Sequence, residues 1–144
     1  MIQRIQTLYL TIAILVMSIL PIYLSIWKNL DAVDIYVYDL LNSDSWMFKS
    51  LPILFGLSVL ISLITIFKFK NRQTQFVLGR LNILTNFIML VLLVIHLQNL
   101  SGEVFISEKG IGSTLPLITI VLLVLANKAI KKDEDLVKSV DRIR

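Results

Sequence analysis

The chain contains no cysteine, which excludes disulfides, thiol nucleophiles and thiolate metal sites. It has a single histidine, His96. One imidazole cannot build a metal centre without further soft ligands, and no acid stands at helical spacing to orient it. No glycine-rich phosphate loop and no pair of acids placed for general acid–base work is present. Charge is also scarce, at 17% of 144 residues against about 25% in an ordinary soluble domain.

The shortage of charge is concentrated. No charged residue falls between Arg4 and Lys28, Lys49 and Lys68, Arg80 and Glu103, or Lys109 and Lys128, leaving runs of 23, 18, 22 and 18 residues. A helix needs roughly 17–25 mostly apolar residues to cross a bilayer, so each run is long enough. Apolar residues make up 56% of the chain and the mean hydropathy is +0.81. A chain of 144 residues has too little volume to hide four such segments from water. The expectation is an all-α membrane protein: four transmembrane helices in an up-down bundle, with spans at about residues 6–27, 50–68, 81–99 and 113–130. The first run exceeds the about 7–15 residues of a signal-peptide core, and no small-x-small cleavage site follows Trp27. It reads as a retained helix.

Basic residues flanking spans stay on the cytoplasmic side. An inside N-terminus puts Arg4, Lys68, Lys70, Arg72, Arg80, Lys128, Lys131, Lys132, Lys138, Arg142 and Arg144 inside, and only Lys28, Lys49 and Lys109 outside. Asp31, Asp34, Asp39, Asp44, Glu103 and Glu108 fall outside, while Asp133, Glu134, Asp135 and Asp141 fall inside. Both termini are therefore expected in the cytoplasm. The basic balance is an orientation signal, and no nucleic-acid partner is expected.

Along the chain, Pro21 lies within span one and should kink it, because proline lacks the N–H and crowds the preceding turn. Trp27 is expected at the outer interface, where indole rings sit among headgroups. In the long outer loop, DIYVYDL is rich in β-branched and aromatic residues and should form a short strand. VFIS at 104–107 is expected to pair with it as a hairpin cap. Spans two and four open SLP and TLP, with Ser50 or Thr114 as cap and Pro52 or Pro116 in the first turn. Gly110 and Gly112 supply the turn before span four. The link KFKNRQTQFVLGR is short, making spans two and three antiparallel neighbours. RIQTL from Arg4 and RLNIL from Arg80, each followed by a Leu-Pro span, suggest two tandem hairpins of parallel orientation.

No Asp, Glu, Lys or Arg occupies the middle of a span. Such residues mark proton and ion pathways, so coupled transport is disfavoured. Asn82 and Asn86, four apart, share one face of span three. Their expected role is interhelical hydrogen bonding, with Asn127 of span four as partner. Gly56, Ser58, Ser62 and Thr65 give span two a small-residue side suited to close packing. His96 reads as a tolerated interfacial residue. No catalytic, cofactor-binding or metal-binding residue is expected, and enzymatic activity is not.

The polar end of the chain has its own pattern. Ala129, Ile130, Leu136, Val137, Val140 and Ile143 recur near the 3.6-residue period. Lys131 with Asp135 and Glu134 with Lys138 are i,i+4 pairs. Residues 131–144 thus read as an amphipathic helix continuing span four. Its uses are lying on anionic lipid, docking on the inner loop, or docking on a partner.

The opening MIQRIQTLYL, the internal GRLNIL and the closing LANKAIKKDEDLVKSVDRIR resemble domain-of-unknown-function family 4293, small four-span inner-membrane proteins of Bacteroidota-type bacteria. Asp133, Val137, Ser139, Asp141 and Arg142 carry the most specific part. The resemblance implies a bacterial inner-membrane location and no activity. The residues expected at contacts are Asn82, Asn86 and Asn127 in the bundle and Leu136, Val140, Asp141 and Arg142 on the tail. The expected partners are the lipid bilayer and either another membrane protein or a second copy. The expected function is that of a non-enzymatic accessory or assembly subunit, with a small permease or oligomeric pore for a neutral or lipidic solute as alternative.

Overall fold

The computed structural model describes residues 5–28, 33–100 and 110–143. Four helical segments in it are long and apolar enough to cross a membrane: Ile5–Tyr23, Trp46–Phe67, Arg72–Gln98 and Ile111–Ile143. The first comprises α1 (Ile5–Ser18) and the one-turn α2 (Leu20–Tyr23), separated at Ile19. Pro21 sits in the first turn of α2, so the ring that cannot bond back to Met17 marks the break, as its position in the run predicts.

The second helix, α3 (Trp46–Phe67), begins one turn earlier than SLP implies. Pro52 consequently lies inside it, and Ser50 donates back to the Met47 carbonyl at 2.6 Å instead of capping. Trp46–Lys49 wind a turn of their own on Ser45, whose carbonyl accepts from Lys49 N at 3.3 Å. The third helix, α4 (Arg72–Leu100), also starts well before the expected residue 81. Asn71 explains this: its Oδ1 accepts from Thr74 N at 3.2 Å and its carbonyl from Gln75 N at 3.0 Å. That is an N-cap, and it reduces the inner link to Lys68–Asn71. The fourth helix, α5 (Leu115–Ile143), follows a 3-10 turn at Ile111–Thr114 and keeps Pro116 in its first turn. Thr114 does not cap it; its hydroxyl donates to the Ile111 carbonyl at 2.7 Å. Span four and the charged tail are one uninterrupted helix.

Packing arranges these helices in a ring. The first helix lies against α3 and α5, and α4 lies against the same two. The α3–α4 turn, the start of α1 and the end of α5 share one end of the bundle, here the turn end. At the other, the loop end, apolar residues from loops and helices form a common core: Met17, Ile26, Trp27, Val37, Leu40, Leu51, Phe55, Met89, Leu93 and Leu115. Trp27 is 3% exposed and lies 6.0 Å from the Phe48 ring. It is a core residue and not the expected interfacial anchor, because the chain folds back over it.

That fold-back is a two-residue antiparallel pairing of β1 (Trp27–Lys28) with β2 (Asp34–Ile35). The aromatic loop thus forms a strand where expected, but its partner is the end of span one. VFIS lies outside the described residues. After β2 the chain turns into a 3-10 segment at Tyr38–Asn42, with Leu40 buried on α3. Gly110 and Gly112 seat the start of the fourth segment on the same strand end. Their amides donate to the carbonyls of Ile26 and Ser25 at 3.0 and 2.9 Å. A Cβ at Gly112 would lie 2.7 Å from the Ser25 oxygen, so the close approach requires glycine.

Candidate functional site

The half of the bundle nearer the turn end carries a buried polar seam beside an apolar cluster of Leu10, Ala13, Leu123 and Ala126. The centre of the seam is Asn82, fully buried on α4. The Asn82 Nδ2 donates to the Ser62 hydroxyl at 2.7 Å and the Ser58 carbonyl at 3.1 Å. Its Oδ1 accepts from the Ser58 hydroxyl at 2.8 Å and from Asn86 Nδ2 at 3.1 Å. Asn86 Nδ2 also donates to the Ser58 hydroxyl at 2.8 Å. Asn82 and Asn86 therefore do hydrogen-bond across helices, as expected. Their partner is the serine side of span two, and Asn127 is not part of the cluster.

Asn127 instead lies on Gly79 of α4, where any Cβ would overlap its carboxamide. The α4–α5 crossing is close because Gly79 removes the side chain that would hold the helices apart. One turn nearer the turn end, Gln75 joins the seam. Its Nε2 donates to the Thr65 carbonyl at 3.0 Å, and its Oε1 accepts from Gln6 Nε2 at 3.3 Å. Gln75, Gly79, Asn82 and Asn86 are spaced four, three and four apart, which puts them on one face of α4. That face touches α1, α3 and α5 in turn. The spacing was available in the sequence as small and polar residues at heptad-like intervals, yet Gln6, Gln75 and Gly79 were missed. Ser58 and Ser62, expected to serve close packing as small residues, also hydrogen-bond to Asn82. Gly56, grouped with them, has nothing within contact distance of its missing Cβ.

His96 stands apart from this seam, in the other half of the bundle. It is 2% exposed and therefore core, not interfacial. Its ring meets Phe48 edge-on at 4.8 Å between centroids, and Nδ1 lies 2.6 Å from the Leu92 carbonyl. A contact that short to a carbonyl requires a proton on Nδ1, and Nε2 is buried with no partner among the described residues.

The tail emerges at the turn end. Ile130 is the last fully buried residue of α5. Beyond it Leu136, Val137, Val140 and Ile143 are all exposed, and Asp141 and Arg142 are exposed beside them. Of the i,i+4 pairs, Glu134 and Lys138 close at 2.8 Å; this hydrogen bond and charge hold the Lys138 ammonium above its ordinary pKa. A tie runs back to the α3–α4 turn, from the Arg72 guanidinium to the Asp133 carbonyl at 3.2 Å. Between tail and turn lies an open groove of 910 Å³, lined by residues that include Gln6, Ile66, Phe67, Phe69, Lys70, Arg72 and Val137.

Four long helices, each apolar enough to cross a membrane, closed by a buried amide–hydroxyl seam, with the last helix running on past the bundle as an amphipathic rod, define a helical-bundle protein. The chain belongs to the family described as domain of unknown function DUF4293, whose family model matches residues 2–143. Comparison with curated proteins and with solved structures finds no match to it.

Proposed function

We propose that this is a multi-pass protein of the bacterial inner membrane, with the turn end in the cytoplasm, acting as a non-enzymatic accessory or assembly subunit. Placement in the membrane is supported by the outer surface of the four helices. Leu8, Leu15, Ile53, Leu60, Leu84, Val94, Leu117 and Val124 are exposed along them, a pattern suited to lipid and not to water. The cytoplasmic assignment follows the excess of lysine and arginine at the turn end.

The observation that carries the accessory role is the exposed apolar stripe of the tail. The fourth helix has 29 residues, about 43 Å at the standard rise, against about 30 Å of hydrocarbon. Its last turns therefore project beyond the lipid core with Leu136, Val140 and Ile143 uncovered. An apolar face presented on a rigid rod is the form in which helices dock into a partner's groove. Inside the bundle, the Ser58 and Ser62 hydroxyls are engaged by Asn82 and Asn86, which favours a packing role for the seam over a lined pore.

The test is co-purification of the tagged full chain from native membranes with and without Leu136→Asp/Val140→Asp. The expected result is a defined partner, or a second copy, lost from the variant while the variant remains in the membrane fraction. A chain that runs alone in both forms defeats the proposal.

A further inference from the structure

The groove at the turn end has the chemistry of a ligand site. Its 910 Å³ falls within the about 300–1,000 Å³ of small-molecule pockets. One wall is apolar and uncovered: Phe67 is 76% exposed and Phe69 50%, beside the half-buried Ile66. The rim carries two cations, Lys70 and Arg72, the second of them also donating to the Asp133 carbonyl, and no carboxylate is among the described residues that line it. The smaller groove on the other side of the tail, lined by Lys128, Lys131 and Lys132, includes Asp135. Gln6 adds a third feature. It is 2% exposed and lines the larger groove. Its Nε2 is taken by Gln75, and its Oε1 has no partner among the described residues. A buried carbonyl oxygen left unpaired is unfavourable until a donor reaches it.

We propose that this groove binds one anionic glycerophospholipid of the cytoplasmic leaflet. Lys70 and Arg72 take the phosphate, Gln6 Oε1 accepts from a headgroup hydroxyl, and the first acyl carbons lie over Ile66, Phe67 and Phe69. The order matches depth: in the orientation above, Phe67 ends α3, and Phe69, Lys70 and Arg72 follow it toward headgroup level. Val137 of the tail closes the far side, so a bound lipid would also brace α5 against the α3–α4 turn. This rests on the membrane-spanning reading.

The test is native mass spectrometry of the full chain in detergent micelles, titrated with dioleoyl phosphatidylglycerol or dioleoyl phosphatidylcholine. Expected is a first phosphatidylglycerol bound at least about tenfold more tightly than phosphatidylcholine. The preference should vanish in Lys70→Gln/Arg72→Gln and persist in Lys131→Gln/Lys132→Gln, which removes equal charge outside the groove. Equal loss in both variants would overturn the site and leave only diffuse attraction to basic residues. Displacement of the lipid by millimolar inorganic phosphate would show a free-anion site instead and also overturn it. So would a second copy of the chain occupying the groove, seen as a dimer that disperses in Lys70→Gln/Arg72→Gln without added lipid. Phosphatidylmethanol, which lacks headgroup hydroxyls, should bind more weakly than phosphatidylglycerol; equal binding removes Gln6 from the site. Membrane flotation of the same variants separates the two readings, because a chain that floats yet fails the titration sinks only the lipid site.

Discussion

Asn82→Ala removes the centre of the seam and is the sharpest probe of what holds the bundle together. The wild-type side chain makes three hydrogen bonds to α3, two of them to Ser58 and one to Ser62. Interhelical bonds in membrane proteins average about 0.6 kcal/mol each, with a maximum near 1.7. Loss of three gives about 2 kcal/mol, to which the residual cavity adds according to how far α3 and α4 can close. Ser58 and Ser62 limit the loss, because a serine hydroxyl can turn back to its own helix. The assay is equilibrium unfolding in mixed micelles, followed by the fluorescence of Trp27, which is buried in the loop-end core while Trp46 is exposed. Combining Asn82→Ala with Ser62→Ala closes a double-mutant cycle, and about 0.6 kcal/mol of coupling is expected for that pair. A single-mutant change within about 0.3 kcal/mol of zero, or no coupling in the cycle, would refute the claim that the seam binds these helices and would reduce it to a tolerated polar patch.

Gly79→Val should destabilise the bundle by about 1–3 kcal/mol, as overpacking does, since its side chain would overlap the Asn127 carboxamide. Asn127→Ala in the same chain should restore most of that loss, and failure to do so in the same unfolding assay would show that the α4–α5 crossing is not set by this contact. The Glu134–Lys138 pair should contribute to tail helicity below the ordinary lysine pKa of 10.5 and lose that contribution as pH rises through the raised value. Carbon chemical shifts of residues 134–143 in micelles, followed upward from neutral pH, would read it, and a loss complete before pH 10.5 on that limb would contradict the pairing.

Much of the architecture is set along the chain itself. Four charge-free runs of spanning length, a proline in the first of them and a 3.6-residue stripe with i,i+4 charges at the end are local properties. They locate the long helices, the break at Pro21 and the helical tail without knowledge of any neighbour. What they leave open is rotation and depth. In a segment such as span three, apolar on nearly every side, hydrophobic periodicity does not say which face turns inward. Asn82 and Asn86 were therefore legible as hydrogen-bonding residues while their partner was not. Only packing settled that they meet Ser58 and Ser62, that Asn127 lies on Gly79, and that Gln75 bridges Gln6 to Thr65. Helix starts failed for a related reason, since Asn71 and Ser45 lie outside the apolar runs that defined the spans. Trp27 shows the same division: its chemistry suits an interface, and a strand pairing of two residues on each side placed it in the core. Composition and period determine that helices form. The helix faces that meet, and the loops that cover them, depend on contacts between residues far apart in the chain.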